Sequence, residues 1–301
     1  MVFEQTIRAA VECSGVGLHS GVSVRMRIVP ASPGSGIIFR RTDLDDFQVE
    51  ANGRNVAKVS YATSLMKKGV LISTTEHVLS AFVGMGLDNA IVELDNLELP
   101  ILDGSALPIV EMLQRVGLRR QKRLRQYLRV LKAVEVRDGD KFVGLYPAEN
   151  FSVSYTINFP HPLINEESIY VDLSRGDYAK DIAPARTFGL LHEVEALRNM
   201  GLIRGASEEN AIVLTADGIK NGPLRFSNEF VRHKVLDLIG DLSLIGHQVL
   251  GRVVADRAGH AMHTAMVSRL LRDRSSWELT TMEDPAVLVE PGAEAVAIAE
   301  I

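Results

Sequence analysis

Cysteine is nearly absent: Cys13 is the one such residue in 301. No intrachain disulfide can form, and a zinc site built from several thiolates is excluded. Long apolar runs are missing as well. The opening MVFEQTIRAAVECSG lacks the apolar stretch of a signal peptide, and no segment approaches the roughly 18 consecutive apolar residues of a membrane helix. The expected protein is soluble and cytoplasmic, with no stable membrane insertion. Nor is positive charge in excess. With 33 Lys and Arg against 38 Asp and Glu the net charge is −5, so nucleic acid is not an expected partner, because phosphate contacts need a basic surface.

Apolar residues make up 46% of the chain, enough over this length for two domains with separate cores. TIRAAVECSGVGL, VSVRMRIVP and GIIFRRTDL read as strands from partial alternation of β-branched residues. A helix is expected over about 74–83, capped by Ser73 or Thr74 and ended by Gly84 and Gly86, and another over about 106–116 behind Ser105. Residues 119–126, RRQKRLRQ, read as a solvated connector between domains 1–122 and 127–285, with a tail at 286–301. The second half offers strands YLRVLKAVEV, KFVGLYP and FSVSYTINF, helices near 190–199, 228–245 and 261–271, and strand GRVVADR. Strict βαβ alternation is missing, which predicts two α+β domains, each a sheet packed on helices.

Three motifs bear chemistry. In FVRHKVLDLIGDL, His233, Asp237 and Asp241 recur every fourth residue on a helix that is otherwise apolar nearly all round. They share one face, and burying them demands pairing or a cation. A zinc site would use His233 and Asp237 as ligands; a buried His–Asp pair bracing a helix bundle would account for the same residues, and the spacing does not choose. In STTEHVLSA, Ser73 and Glu76 fit a capping box, whereas Glu76 and His77 fit a general base beside a third metal ligand. In DRAGHAMH, His260 stands in a loop after Gly259, where a general acid could sit, and His263 falls inside the next helix as a structural residue. Together they supply the groups for metal-assisted amide hydrolysis.

These residues lie within longer blocks: SGVGLHSG (14–21), IIFRRTDL (37–44), STTEHVLSAFVGMGLDNAIVEL (73–94), PILDGSALP (100–108), ARTFG (185–189), RFSNEFVRHKVLDLIGDL (225–242) and AGH (258–260). In that order the blocks resemble the UDP-3-O-acyl-N-acetylglucosamine deacetylase family, the zinc enzymes of lipid A synthesis in Gram-negative bacteria. The resemblance implies one zinc per chain on His77, His233 and Asp237, with iron(II) an alternative for such a His₂Asp set. It implies Glu76 as general base, His260 as general acid or as electrostatic partner to the oxyanion, Asp241 as the carboxylate orienting His260, and Thr187 as a donor to the tetrahedral intermediate. Phe188 and Lys234 would contact the substrate, and Lys141, Phe159 and Arg257 its UDP part. An insert over about 187–213 would line a passage for the acyl chain with Val194, Ile203, Ala211 and Val213. The partner implied is the UDP-linked acylated amino sugar, met by a monomer that approaches the inner membrane transiently. With His77 in the first half and the other ligands in the second, the active site is expected between the domains.

Overall fold

The computed structural model describes residues 1–57 and 61–282. The tail expected at 286–301, and residues 283–285 of the expected second domain, lie outside them. The first half runs β1 (Phe3–Ile7), β2 (Val11–Val16), β3 (Ser23–Pro30), β4 (Ile37–Arg41), β5 (Phe47–Glu50), β6 (Leu65–Lys67), β7 (Val70–Ile72), α1 (Glu76–Met85), β8 (Ala90–Leu94), α2 (Leu107–Val116) and β9 (Leu118–Leu124). Five of these strands form a mixed sheet in the order β2-β3-β8-β4-β5, with β4 and β8 parallel. Alternation places Val24, Met26 and Ile28 of β3 on the covered face while Arg25 and Arg27 face out. Those inward residues join Leu79 and Phe82 of α1 and Ile109, Val110 and Leu113 of α2 in the core. Each such side chain contributes roughly 1.5–3 kcal/mol on burial. Helix α1 stops where Gly86 turns left-handed at φ 70° and its N–H bonds back to the last turn.

The second half runs β10 (Tyr127–Val130), β11 (Val134–Asp138), β12 (Lys141–Tyr146), β13 (Phe151–Phe159), β14 (Asn165–Asp172), α3 (Tyr178–Asp181), β15 (Phe188–Leu190), α4 (Val194–Asn199), β16 (Ile212–Leu214), α5 (Glu229–Leu242), β17 (Gln248–Asp256), α6 (His260–Arg272) and β18 (Trp277–Thr280). Strand β17 organises a seven-stranded sheet: it pairs antiparallel with β12 and parallel with both β10 and β13. β15 and β16 form a separate parallel pair that brackets the insert, Phe188 opposite Ile212 and Leu190 opposite Leu214. The mixed sheets and helices make an α+β fold, as the lack of βαβ alternation predicts.

Helix α5 is buried along nearly its whole length. It packs so closely on α1 that a Cβ at Gly240 would fall 2.0 Å from the Glu76 carbonyl oxygen. This contact joins the two halves and brings the motif of residues 73–81 to that of 230–242.

The segment 119–126 is not a loose connector. Through Leu124 it is strand β9, antiparallel to β1 with Ile7 opposite Leu118. Its polar run hides the strand because backbone pairing and charge hold it: Arg120 lies over the Phe3 ring at 3.8 Å, and Arg123 pairs with Glu4 at 3.2 Å. Arg125, next along, is buried against Asp88 at 2.7 Å and the Gly86 carbonyl. The helix expected at 190–199 is shorter, with Phe188–Leu190 extended, a 3-10 turn over Leu191–Glu193 and α4 after it.

Candidate active site

Helix α1 begins at Glu76 and helix α6 at His260, and the middle of α5 passes beside both starts. The i, i+4 spacing of α5 presents His233, Asp237 and Asp241 in one row along that passage. The capping box at 73–76 does not form. Thr74 adopts φ 58°, no side chain caps the helix, and Ser73 Oγ faces Ser64 Oγ at 3.0 Å. Glu76 is thereby released inward, where its Oε2 accepts the Thr63 N–H at 3.1 Å.

His77, His233 and Asp237 are all buried, with ligand atoms within 4.8 Å of one another. Asp237 Oδ1 lies 3.3 Å from His233 Nε2 and 3.6 Å from His77 Nε2, and although buried it has no hydrogen-bond partner among the described residues. His233 Nδ1–H donates to the Ala185 carbonyl at 3.0 Å, which turns the bare Nε2 toward Asp237. Burial pushes His233 down to about 4, so it is a neutral imidazole at physiological pH. Burial would raise Asp237, but His233, Lys234 and His260 outweigh it and hold this carboxyl well below the usual range. Lys234 Nζ reaches the other oxygen, Oδ2, at 3.0 Å. An unpaired buried carboxylate oxygen facing two imidazole nitrogens, one with its tautomer set from behind, is a donor set that fits a divalent cation.

One turn along α5, Asp241 is fully buried and saturated. Oδ1 accepts the Thr63 hydroxyl; Oδ2 accepts His260 Nδ1–H and His263 Nδ1–H, each at 2.8 Å. Burial opposes a charge on His260, but Asp241 and Asp237 prevail and raise it to about 9. Its other nitrogen, Nε2, faces Asp237 Oδ2 at 3.8 Å. Burial raises Glu76 above the ordinary carboxylate range, partly offset by His260 and His77. The site therefore sets a carboxylate of raised basicity and a cationic imidazole beside the cation-fitting triad.

Phe188 stacks edge-on with Phe159 at 5.6 Å and lies 6.3 Å from the His233 ring, with Lys234 Nζ 5.6 Å from its centre. Phe188 and Lys234 thus adjoin the triad, and Phe159 packs against Phe188. Thr187 is two residues beyond Ala185; its N–H donates to the Gly104 carbonyl at 2.8 Å, and its hydroxyl has no hydrogen-bond partner among the described residues. Val194, Ile203, Ala211 and Val213 are half-buried and stand outside the main core. Lys141 is exposed at the start of β12. Arg257 is bound to Asp140 by side chain and carbonyl and to Asp256 at 3.2 Å, so its charge is largely matched before any phosphate arrives.

Some participants carry no local sequence signal. Thr63 comes from a loop and Tyr155 from β13, where neither belongs to a motif. His19 stands within SGVGLHSG, where no neighbouring acid, base or second histidine marks it. Its ring nitrogens are both buried without hydrogen-bond partners among the described residues, while its backbone N–H donates to Glu98 at 2.8 Å.

The chain matches the family described as LpxC, UDP-3-O-acyl N-acetylglycosamine deacetylase, over residues 4–272. A UDP-3-O-acyl-N-acetylglucosamine deacetylase from Solibacter usitatus (strain Ellin6076) is 50% identical over 287 residues, covering 95% of this chain and 97% of the relative. One of the same name from Syntrophus aciditrophicus (strain SB) is 47% identical, covering 92% and 89%. Another, from Saccharophagus degradans, is 40% identical, covering 95% and 96%. Matched from strand β1 to helix α6 and to relatives of nearly its own length, the chain belongs to the UDP-3-O-acyl N-acetylglycosamine deacetylase family.

Proposed function

We propose that this chain is a zinc-dependent amidohydrolase that removes the N-acetyl group of UDP-3-O-((R)-3-hydroxyacyl)-N-acetylglucosamine, giving acetate and the free amine, in lipid A biosynthesis. The observation that carries this reading is the buried, unpartnered Asp237 Oδ1 facing His77 and His233 beside Glu76 and His260. His77, His233 and Asp237 would hold the metal. When bound, a zinc ion would polarise the amide carbonyl and acidify the attacking water.

Glu76 takes a proton from that water as its oxygen attacks the carbonyl carbon. Burial equips it, because a carboxylate deprived of water is a stronger base. His260, cationic through Asp241 and Asp237, faces the negative charge that develops on the carbonyl oxygen and gives its proton to the nitrogen as the C–N bond breaks. Thr187 supplies a hydroxyl donor to the same oxyanion. Phe188, Phe159 and Lys234 receive the sugar nucleotide. Lys141 and Arg257 lie toward its phosphates, and Val194, Ile203, Ala211 and Val213 line the acyl passage.

The two halves act as domains, the first closing with β9 at Leu124 and the second opening with β10 at Tyr127, with the site between them. No helix among the described residues is long and apolar enough to cross a membrane. A monomer in the cytoplasm that meets its amphipathic substrate at the inner membrane accords with that. The test is acetate release from this substrate before and after chelation. The reading requires activity to vanish and to return at one zinc per chain; no acetate from the folded, metal-replete protein would overturn it.

A further inference from the structure

His263 is used by nothing in this mechanism, yet it is fully buried inside α6 and tied at both nitrogens. Nδ1–H donates to Asp241 Oδ2, the oxygen that also receives His260, and both contacts measure 2.8 Å. Nε2 lies 3.1 Å from the Tyr155 hydroxyl, which also reaches the Ala258 carbonyl at 2.8 Å. Ala258 is two residues before His260, in the turn that starts α6. The chain of contacts thus closes on itself: Tyr155 shares its single hydroxyl proton between the bare His263 Nε2 and the Ala258 carbonyl of the His260 turn, while His263 and His260 converge on one carboxylate oxygen.

An apolar core residue would fill the same space without a hydrogen bond, so burial alone does not explain a histidine here. A donor there does have a consequence. A carboxylate with one oxygen held only by Thr63 and the other only by His260 can swing about its Cβ–Cγ axis, carrying His260 with it. A second donor on Oδ2 resists that swing. Because His263 and His260 occupy one helix, the donor also fixes the register of α6 against α5.

We propose that His263 is a positioning residue for the reaction: with Tyr155 it locks Asp241 in the orientation that aims His260 at the leaving nitrogen. The inference rests on His260 acting as the acid in the proposed deacetylation. Partners that orient metal-bound ligands cost about ten- to a hundredfold on removal, and a partner one contact further from the reacting atoms should fall near the lower figure.

The experiment is steady-state acetate release by wild type, His263→Leu, His263→Asn, His260→Gln and the His260→Gln/His263→Leu double variant, each checked for folding by thermal melting. His263→Leu should lower kcat about tenfold with KM within about twofold, since no substrate contact is lost. His263→Asn, whose amide N–H can occupy the Nδ1 position, should recover most of that loss. In the His260→Gln background His263→Leu should cost nothing further, because its effect runs through His260.

If His263→Leu does not fold, Tyr155→Phe carries the test, with a severalfold loss of kcat that vanishes in the same background. Full kcat in folded His263→Leu, no recovery with Asn, or losses that multiply in the double variant would each overturn the inference alone. A wild type that releases no acetate overturns the deacetylase reading, and a His260→Gln variant that keeps wild-type kcat overturns the acid role; the inference falls with either.

Discussion

Two Asp–His–His groups are built around aspartates one turn apart on helix α5, and the same two residue types stand in opposite states. Around Asp237 the imidazoles present Nε2 at 3.3 and 3.6 Å without forming a hydrogen bond, and Oδ1 has no donor among the described residues. Around Asp241 the imidazoles present Nδ1 at 2.8 Å, and a threonine hydroxyl takes the remaining oxygen. Both groups are compact enough to suit a metal ion. Composition and proximity do not separate them; hydrogen-bond accounting does. Buried polar atoms are almost always paired, so the first group is incomplete as protein alone and the second is complete.

The largest effect should fall on the incomplete group. His233→Ala removes one of three ligands, and activity should drop to background, at least about a thousandfold, together with bound metal measured by elemental analysis. The corresponding change in the complete group, His260→Gln, should keep the metal and lower kcat about a hundredfold, the usual worth of a positioned acid. Loss of metal from His260→Gln would blur the division between the two groups.

The pH profile sharpens the same division. His260 acts protonated, so kcat should fall as pH rises through its pKa, about 9 in the protein without metal. A divalent cation on Asp237 cancels part of the attraction that raises it, so the limb should appear at or below that value. The acid limb belongs to Glu76, raised by burial, and activity should fall as pH drops through it. His260→Gln should abolish the upper limb and leave the lower one, as kcat measured from pH 5 to 10 would reveal.

Much of the incomplete group was legible in the sequence. The i, i+4 row in an apolar helix could be read without coordinates, because helical geometry alone places His233, Asp237 and Asp241 together. The spacing could not choose between a metal and a bracing pair; only the orphaned oxygen and the Ala185 contact behind His233 favour the cation. The complete group was less legible. His263 reads as an ordinary buried helix residue, and Thr63 and Tyr155 come from a loop and a strand whose approach depends on long-range folding. Strand β9 was hidden for a different reason. Its strand pairing uses backbone groups and Arg side chains, which leave no apolar alternation to detect.

Smaller effects test the scaffold that aligns the two groups. Gly240→Ala would force a methyl against the Glu76 carbonyl, and α1 and α5 must part to admit it. About 1–3 kcal/mol of stability should be lost, seen as a lower Tm, with kcat reduced because Glu76 moves with α1. Arg257→Ala should do least, raising KM only severalfold, since Asp140 and Asp256 already match that charge. A large rise in KM would show that the arginine leaves its carboxylates for the substrate.

The most direct test is to titrate metal-free protein with cobalt(II), whose visible absorption reports its coordination, in wild type, Asp237→Asn and Asp241→Asn. One tight equivalent should bind wild type. The band should persist in Asp241→Asn and disappear in Asp237→Asn. Binding abolished by Asp241→Asn but retained in Asp237→Asn would contradict the assignment of the metal to the group with the unpaired oxygen.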